Sequence, residues 1–345
     1  MKEALFYKRL KDKQVQCGLC SRRCRIAPGN TGFCRVRKNV DGRLFSLVYG
    51  KAVDTSIDNI EKKPFYHFAP GSMNLSYSTV GCNFSCKFCC NFPISQNWTE
   101  VHGKDIAPKE MVDLAKQSGV QGIAHTYVEP TIFFEYARDI GLIAKRAGLY
   151  NVFVTNGYTT PEAIKEASKF LDAAVIDFKN SANPEAYRKL SSVPDVEPIF
   201  QAIEEYKKRK VFIEITNLII PKYGDDPKDM KRMCKRIVDI VGNDVPLHVI
   251  QFFPSYKLTD VGQTSVKALE KMYVIAKESG MNYVYVGNVP GHKRESTYCP
   301  KCGSLAIERY GIKITSFLLD SHMKCRKCGS KIPIAGKKWM RTDSF

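Results

Sequence analysis

At 345 residues the chain is too long for a disulfide-held miniature and long enough for one α/β barrel of about 200 to 250 residues with small appendages. Its composition is 44% apolar and 26% charged, and no window approaches the roughly 20 apolar residues that cross a bilayer; a membrane-spanning or disordered class is excluded. A net charge of +18, from 53 Lys and Arg against 35 Asp and Glu, predicts attraction to an anionic partner such as nucleic acid, phospholipid headgroups or an acidic protein, unless the surplus serves solubility alone.

The N-terminal MKEALFYKRLKDK lacks the apolar run of a signal peptide, so a cytoplasmic protein is expected, free or peripheral at a membrane surface. Residues 1–60 carry CGLCSRRCRIAPGNTGFCRVRKNVDGRLFSLVYG, a small Gly- and Arg-rich module with two short strand candidates near its end. Residues 61–297 change to short apolar runs alternating with amphipathic stretches, the pattern of a βα repeat. The predicted strands are MNLSYSTV, GIAHTY, NVFVTN, AAVIDF, VFIEIT and LHVIQF, with YVYVGN a candidate seventh. The predicted helices are PKEMVDLAKQSG, TIFFEYARDIGLIAKRAG, TPEAIKEASKF, NPEAYRKL, VEPIFQAIEEYKKR, DPKDMKRMCKRIVDIVG and SVKALEKMYVIAKESG. Several open on Pro and close at Gly, as helix ends prefer. This order gives a parallel sheet whose strand C-termini form the rim where active sites are built. Residues 298–345 hold two Cys-x2-Cys-Gly knuckles and should form a separate ribbon.

Thirteen cysteines fall into three tight groups with only Cys234 apart, and in a reducing compartment such clustering means metal. Cys17, Cys20, Cys24 and Cys34 make a closed set of four, suited to structural zinc or an auxiliary 4Fe-4S cluster. Cys299, Cys302, Cys325 and Cys328 resemble a zinc ribbon or rubredoxin-like site, for zinc or a mononuclear iron. The loop after the first barrel strand, GCNFSCKFCCN, sets Cys82, Cys86 and Cys89 at Cys-x3-Cys-x2-Cys. Three thiolates on a 4Fe-4S cluster leave one iron open; as a zinc site they would be an incomplete tetrahedron.

That spacing, with Phe88 before the third cysteine, resembles the signature of the radical S-adenosylmethionine (SAM) superfamily. The resemblance implies that SAM chelates the open iron and that its one-electron cleavage yields methionine and a 5'-deoxyadenosyl radical for hydrogen abstraction from carbon. It also implies SAM contacts at further strand ends: Thr126, Tyr127 and Glu129 of HTYVEPT, Thr155 and Asn156 of VTNG, and Asp177 and Lys179 of IDFK. The Asp-x-Lys pair resembles that of glycyl-radical-enzyme activases. Over nearly the whole chain the order GCNFxCxFC, TYxEPTIF, TNGY, DFK, NLIIP, QFFPSYK and YVGNVPG resembles the AmmeMemoRadiSam proteins, which group with pyruvate formate-lyase activating-enzyme-like proteins. A partial (β/α)6 TIM-like barrel is implied, with an electron donor such as ferredoxin or flavodoxin. The chain departs from the pattern at Cys90, where Gln is expected, and at Val128, where Asn is expected.

An adjacent fourth ligand would strain the loop and close the open iron, so Cys90 is expected not to be a ligand but a buried thiol packing behind the loop, the alternative being a thiol that faces the substrate pocket. His125 and His292 are expected to be packing or loop residues. Three activities are compatible with these features: C–C bond formation or another modification on archaeal-type isoprenoid lipid chains, radical modification or glycyl-radical activation of a partner protein, and RNA binding or scaffolding with structural metals only.

Overall fold

The computed structural model describes residues 1–341. Among them, one large sheet runs through the chain in sequential order: β1 (Asp54–Asn59), β2 (Met73–Ser78), β3 (Gly122–His125), β4 (Tyr150–Thr155), β5 (Ala173–Lys179), β6 (Phe212–Ile219), β7 (Leu247–Gln251) and β8 (Val284–Gly287). Strands β2 to β8 are parallel, and β1 pairs antiparallel with β2, Ile57 opposite Leu75. The first four residues of β5, Ala173 to Ile176, are all buried, as expected for a parallel strand covered on both faces.

Helices α1 (Pro108–Gln117), α2 (Phe134–Arg146), α3 (Pro161–Ala167), α4 (Pro184–Ser191), α5 (Glu197–Lys208), α6 (Pro227–Val241) and α7 (Val266–Glu278) connect the strands. Their ends follow from local chemistry. Asn183 Oδ1 accepts the Ala186 N–H at 2.9 Å and Asp226 Oδ1 the Lys228 N–H at 2.7 Å, each just before a helix-opening proline.

Residues from seven successive strand ends, Cys82 to Asn288, line one cavity of about 480 Å³. A flat sheet of seven strands would be about 29 Å wide at about 4.8 Å per step, too wide to share one cavity. The sheet therefore curls into a partial barrel, with β1 and β8 as its edges. The assignment of Asp54–Asn59 to the N-terminal module meets this pairing: the segment hydrogen-bonds into the barrel sheet.

The barrel's other end is filled by residues 65–72, which follow the cavity-lining Lys62, Lys63 and Pro64. Glu214, wholly buried on β6, accepts the backbone N–H groups of Tyr66, His67 and Phe68 at 3.0, 2.8 and 3.2 Å, and meets His248 Nε2 at 2.9 Å. Burial alone would raise its carboxyl pKa, but these partners hold it below the ordinary value. The ribbon locks this plug: Ala69 N–H donates to Ala335 C=O at 2.9 Å, and Arg309 Nη2 to Tyr66 C=O at 2.8 Å. At the cavity end, the N-terminal module docks on α2 through Arg37 and Glu135, both 2% exposed and bidentate at 2.8 and 2.9 Å. The two cysteine modules thus sit at opposite ends of the sheet.

Candidate active site

The loop after β2 brings Cys82, Cys86 and Cys89 to the cavity wall. Gly81 starts the loop at φ +98°, and a Cβ there would lie 2.7 Å from Val36 Cγ1 and 2.9 Å from the Cys34 carbonyl oxygen. Only glycine permits both this backbone and this close approach to the N-terminal module. The thiols have polar neighbours: Cys86 Sγ lies 3.3 Å from Ser191 Oγ, Cys89 Sγ 3.3 Å from Ser95 Oγ, and Cys82 Sγ accepts the Phe84 N–H at 3.4 Å. Burial pushes the Cys86 thiol up to about 12 and Cys82 well above its usual value, a penalty that binding a metal as thiolate offsets. Among the described residues, the group whose metal-binding atoms all lie within 4.8 Å of one another is the ribbon set, so the loop cysteines are spread wider than a zinc tetrahedron requires. The spread suits ligands that each bind a different iron.

The remaining strand ends close around this loop. Glu129, 3% exposed, accepts at Oε1 from Thr131 N–H (3.1 Å), Thr131 Oγ1 (2.5 Å) and Thr155 Oγ1 (2.8 Å), and at Oε2 from Asn156 N–H (2.7 Å). Burial raises its pKa, and Oε2 keeps one acceptor position open. Tyr127 adopts φ +66°, unusual for a side chain of its size. Its carbonyl accepts Asn91 Nδ2 at 2.6 Å, while its hydroxyl contacts Ser56 Oγ and donates to Asp58 at 3.1 Å. Thr126 is buried and its carbonyl accepts the Val128 N–H at 2.9 Å. Lys179 Nζ is hydrogen-bonded to Asp177, which also accepts Thr216 Oγ1 at 2.6 Å. Phe88, Thr126, Tyr127, Glu129, Thr155, Asn156, Asp177 and Lys179 all line the cavity with the three cysteines.

Cys90 is placed differently from expectation: it is exposed and on the cavity wall. Beside it, Asn91 Nδ2 donates to the Tyr127 carbonyl at 2.6 Å and ties this loop to the β3 loop. The sequence reading also missed Lys62 and Lys63. Both line the cavity and share one carboxylate, Asp58, at 2.6 and 2.8 Å, with Asp54 close enough to act on both. Against its burial, the two ammonium groups hold Asp58 well below the usual carboxylate range. A Lys-Lys pair before the barrel's first parallel strand carries no motif, and only folding reveals its position. His125 is a satisfied core residue, with Nδ1 2.6 Å from Tyr77 Oη and Nε2 3.3 Å from Asn151 Oδ1.

In the ribbon, Cys299 and Cys328 Sγ lie 3.5 Å apart and Cys302 and Cys325 Sγ 3.6 Å apart. A zinc tetrahedron with bonds of about 2.3 Å needs sulfur separations of about 3.8 Å, so this set fits the metal closely. Gly303 and Gly329, at φ +71° and +72°, make the same turn and donate to Cys299 and Cys325 carbonyls at 2.9 and 2.8 Å.

Comparison with known proteins agrees with this architecture. The family model described as the radical SAM superfamily matches residues 76–237, which include the three-cysteine loop. Uncharacterized protein MJ0808 of Methanocaldococcus jannaschii is 42% identical over 97% of this chain and 99% of its own length. A probable GTP 3',8-cyclase of Thermococcus kodakarensis is 25% identical over 64% of this chain and 70% of its own. In fold, the chain is similar to a radical SAM methyltransferase from Sphaerobacter thermophilus, with a TM-score of 0.51 at 14% identity over 68% of this chain and 70% of that one. With the family match opening on the cysteine loop and running through the strands behind it, the protein belongs to the radical SAM superfamily, enzymes whose chemistry uses a 4Fe-4S cluster and SAM.

Proposed function

We propose that Cys82, Cys86 and Cys89 hold the catalytic cluster with one iron open, and that SAM lies against Phe88, Thr126, Tyr127, Glu129, Thr155, Asn156, Asp177 and Lys179. When bound, cluster and SAM supply one-electron cleavage of the sulfonium and a carbon radical able to take hydrogen from an unactivated C–H bond. The open acceptor of Glu129 suits the SAM ammonium, and Asp177, oriented by Thr216 and Lys179, suits its ribose end. The buried walls hold out water while the residues position the reacting groups.

The substrate reading is a bulky molecule with an apolar reacting segment and an anionic group, the candidate being the isoprenoid chain of an archaeal-type phospholipid. One observation carries it: Val128, Val154, Leu218 and Ile250 give the cavity an apolar wall, while the ammonium groups of Lys62 and Lys63, each paired with Asp58, line the same cavity and could exchange that partner for an anionic group. A cavity of about 480 Å³ that also takes SAM admits only the reacting segment, so the rest of such a substrate would stay outside. On this reading the enzyme is cytoplasmic, works at the membrane surface and receives electrons from a ferredoxin or flavodoxin. Among the described residues no helix is long and apolar enough to cross a membrane. Incubating reduced enzyme and SAM with lipid extracts tests it: a mass change in a lipid together with 5'-deoxyadenosine supports it, and unchanged lipids despite SAM cleavage count against it.

The Asp177–Lys179 pair supports a second reading, radical modification or glycyl-radical activation of a partner protein. A radical signal on a co-expressed partner would favour that reading. Scaffolding or RNA binding is secondary in an enzyme of this family.

A further inference from the structure

Cys17, Cys20, Cys24 and Cys34 line one small cavity together with Arg37 and Asn83. The ribbon cysteines of the same chain close to zinc distances, whereas this set does not gather within 4.8 Å. Its thiols face a common space but are spaced for something larger than one ion. Two buried N–H donors of cavity-lining residues have no partner among the described residues: Arg37 Nε, on a residue 2% exposed, and Asn83 Nδ2, on a residue 0% exposed. The rest of each side chain is committed. Arg37 gives both terminal nitrogens to Glu135, and Asn83 Oδ1 accepts Asn156 Nδ2 at 2.7 Å. A buried donor left unpaired costs about 1–3 kcal/mol, so two beside one cavity call for acceptors inside it. Thiolates on zinc could also accept these donors, so the wide spacing of the four sulfurs is what favours the larger iron-sulfur cubane, whose inorganic sulfides add further acceptors.

We propose that Cys17, Cys20, Cys24 and Cys34 hold a second, redox-active 4Fe-4S cluster whose sulfurs accept N–H bonds from Arg37 Nε and Asn83 Nδ2. Hydrogen bonds to cluster sulfur stabilise the more negative, reduced state and raise its potential. Asn83 belongs to both sites, since it follows Cys82 directly and bonds Asn156 in the SAM cavity, and Gly81 packs against Cys34. Four protein thiolates leave no iron open, so a one-electron change between the 2+ and 1+ states, supplied by a low-potential reductant, is the chemistry available to it.

The experiment uses the full chain carrying Cys82→Ala, Cys86→Ala and Cys89→Ala, so that its result is independent of the catalytic-cluster reading. After anaerobic reconstitution, four sulfides per chain and four irons beyond any held by the ribbon are expected, with one reducible cluster signal that disappears when Cys17→Ala and Cys20→Ala are added. A site filled by zinc, with no sulfide, would overturn the proposal. Asn83→Asp keeps the acceptor for Asn156 and removes the donor; in the same background the midpoint potential of that signal should fall, and an unchanged potential would remove Asn83 from the cluster's surroundings.

Discussion

Glu129 accepts four protein donors while still facing the cavity, so it ties the end of β3 to the end of β4 as well as presenting a charge. Glu129→Gln must turn an amide NH2 toward one of those donors, and a loss of about 1–3 kcal/mol is expected together with weaker SAM binding. Thermal unfolding and equilibrium dialysis check the two effects, and an unchanged melting temperature would show the network to be dispensable. At Cys90 the expectation is the reverse: Cys90→Ser should keep full iron content, because the thiol faces open cavity beside the ligands. Loss of a cluster in that variant would make Cys90 a ligand. The gathering of Cys82, Cys86 and Cys89 at one cavity wall was legible because they are close in sequence and follow a barrel strand. The exposure of Cys90 on that wall was not, because it depends on how the loop packs against its neighbours.

Helices and parallel strands were readable from apolar runs bounded by Pro, Gly and capping side chains, and each of the seven strand segments predicted in the βα repeat contributes to the barrel sheet. Strand β1 escaped because DTSIDN has little apolar content: it is an edge strand, and Ile57 is 49% exposed. The plug escaped for a related reason. VFIEIT shows a carboxylate in an apolar strand, but its partners are backbone N–H groups, which no side-chain pattern announces. The docking of the N-terminal module on α2 rests on another buried carboxylate. Glu135→Ala strands the Arg37 charge and should cost about 3–5 kcal/mol, visible as earlier unfolding in denaturant. Burial opposes the Glu135 charge but Arg37 outweighs it, so the carboxyl pKa is lowered. Its stabilisation is therefore complete above the unfolded value of about 4.3 and is lost as pH falls through the lower folded value. Acid titration should show an unfolding step in that window that Glu135→Ala lacks.

The whole molecule separates chemistry from support. The cysteine loop, the cavity at the strand ends and the N-terminal module share one end of the barrel, whereas the ribbon closes the other by bonding the plug through Ala335 and Arg309. Cys325→Ser should remove one metal per chain and lower the melting temperature while leaving SAM cleavage per catalytic cluster within about twofold, since the ribbon touches the floor and not the rim. The composition pointed to an anionic partner, and Lys62 and Lys63 place two ammonium groups, both paired with Asp58, at the cavity, although the surplus as a whole is spread over the surface. The most direct measurement is 5'-deoxyadenosine formation from SAM by anaerobically reconstituted, reduced protein. The wild-type chain should form it, and Cys82→Ala, Cys86→Ala and Cys89→Ala should each form none while remaining folded. Cleavage at the wild-type rate by any one of the three would contradict the assignment of the catalytic cluster.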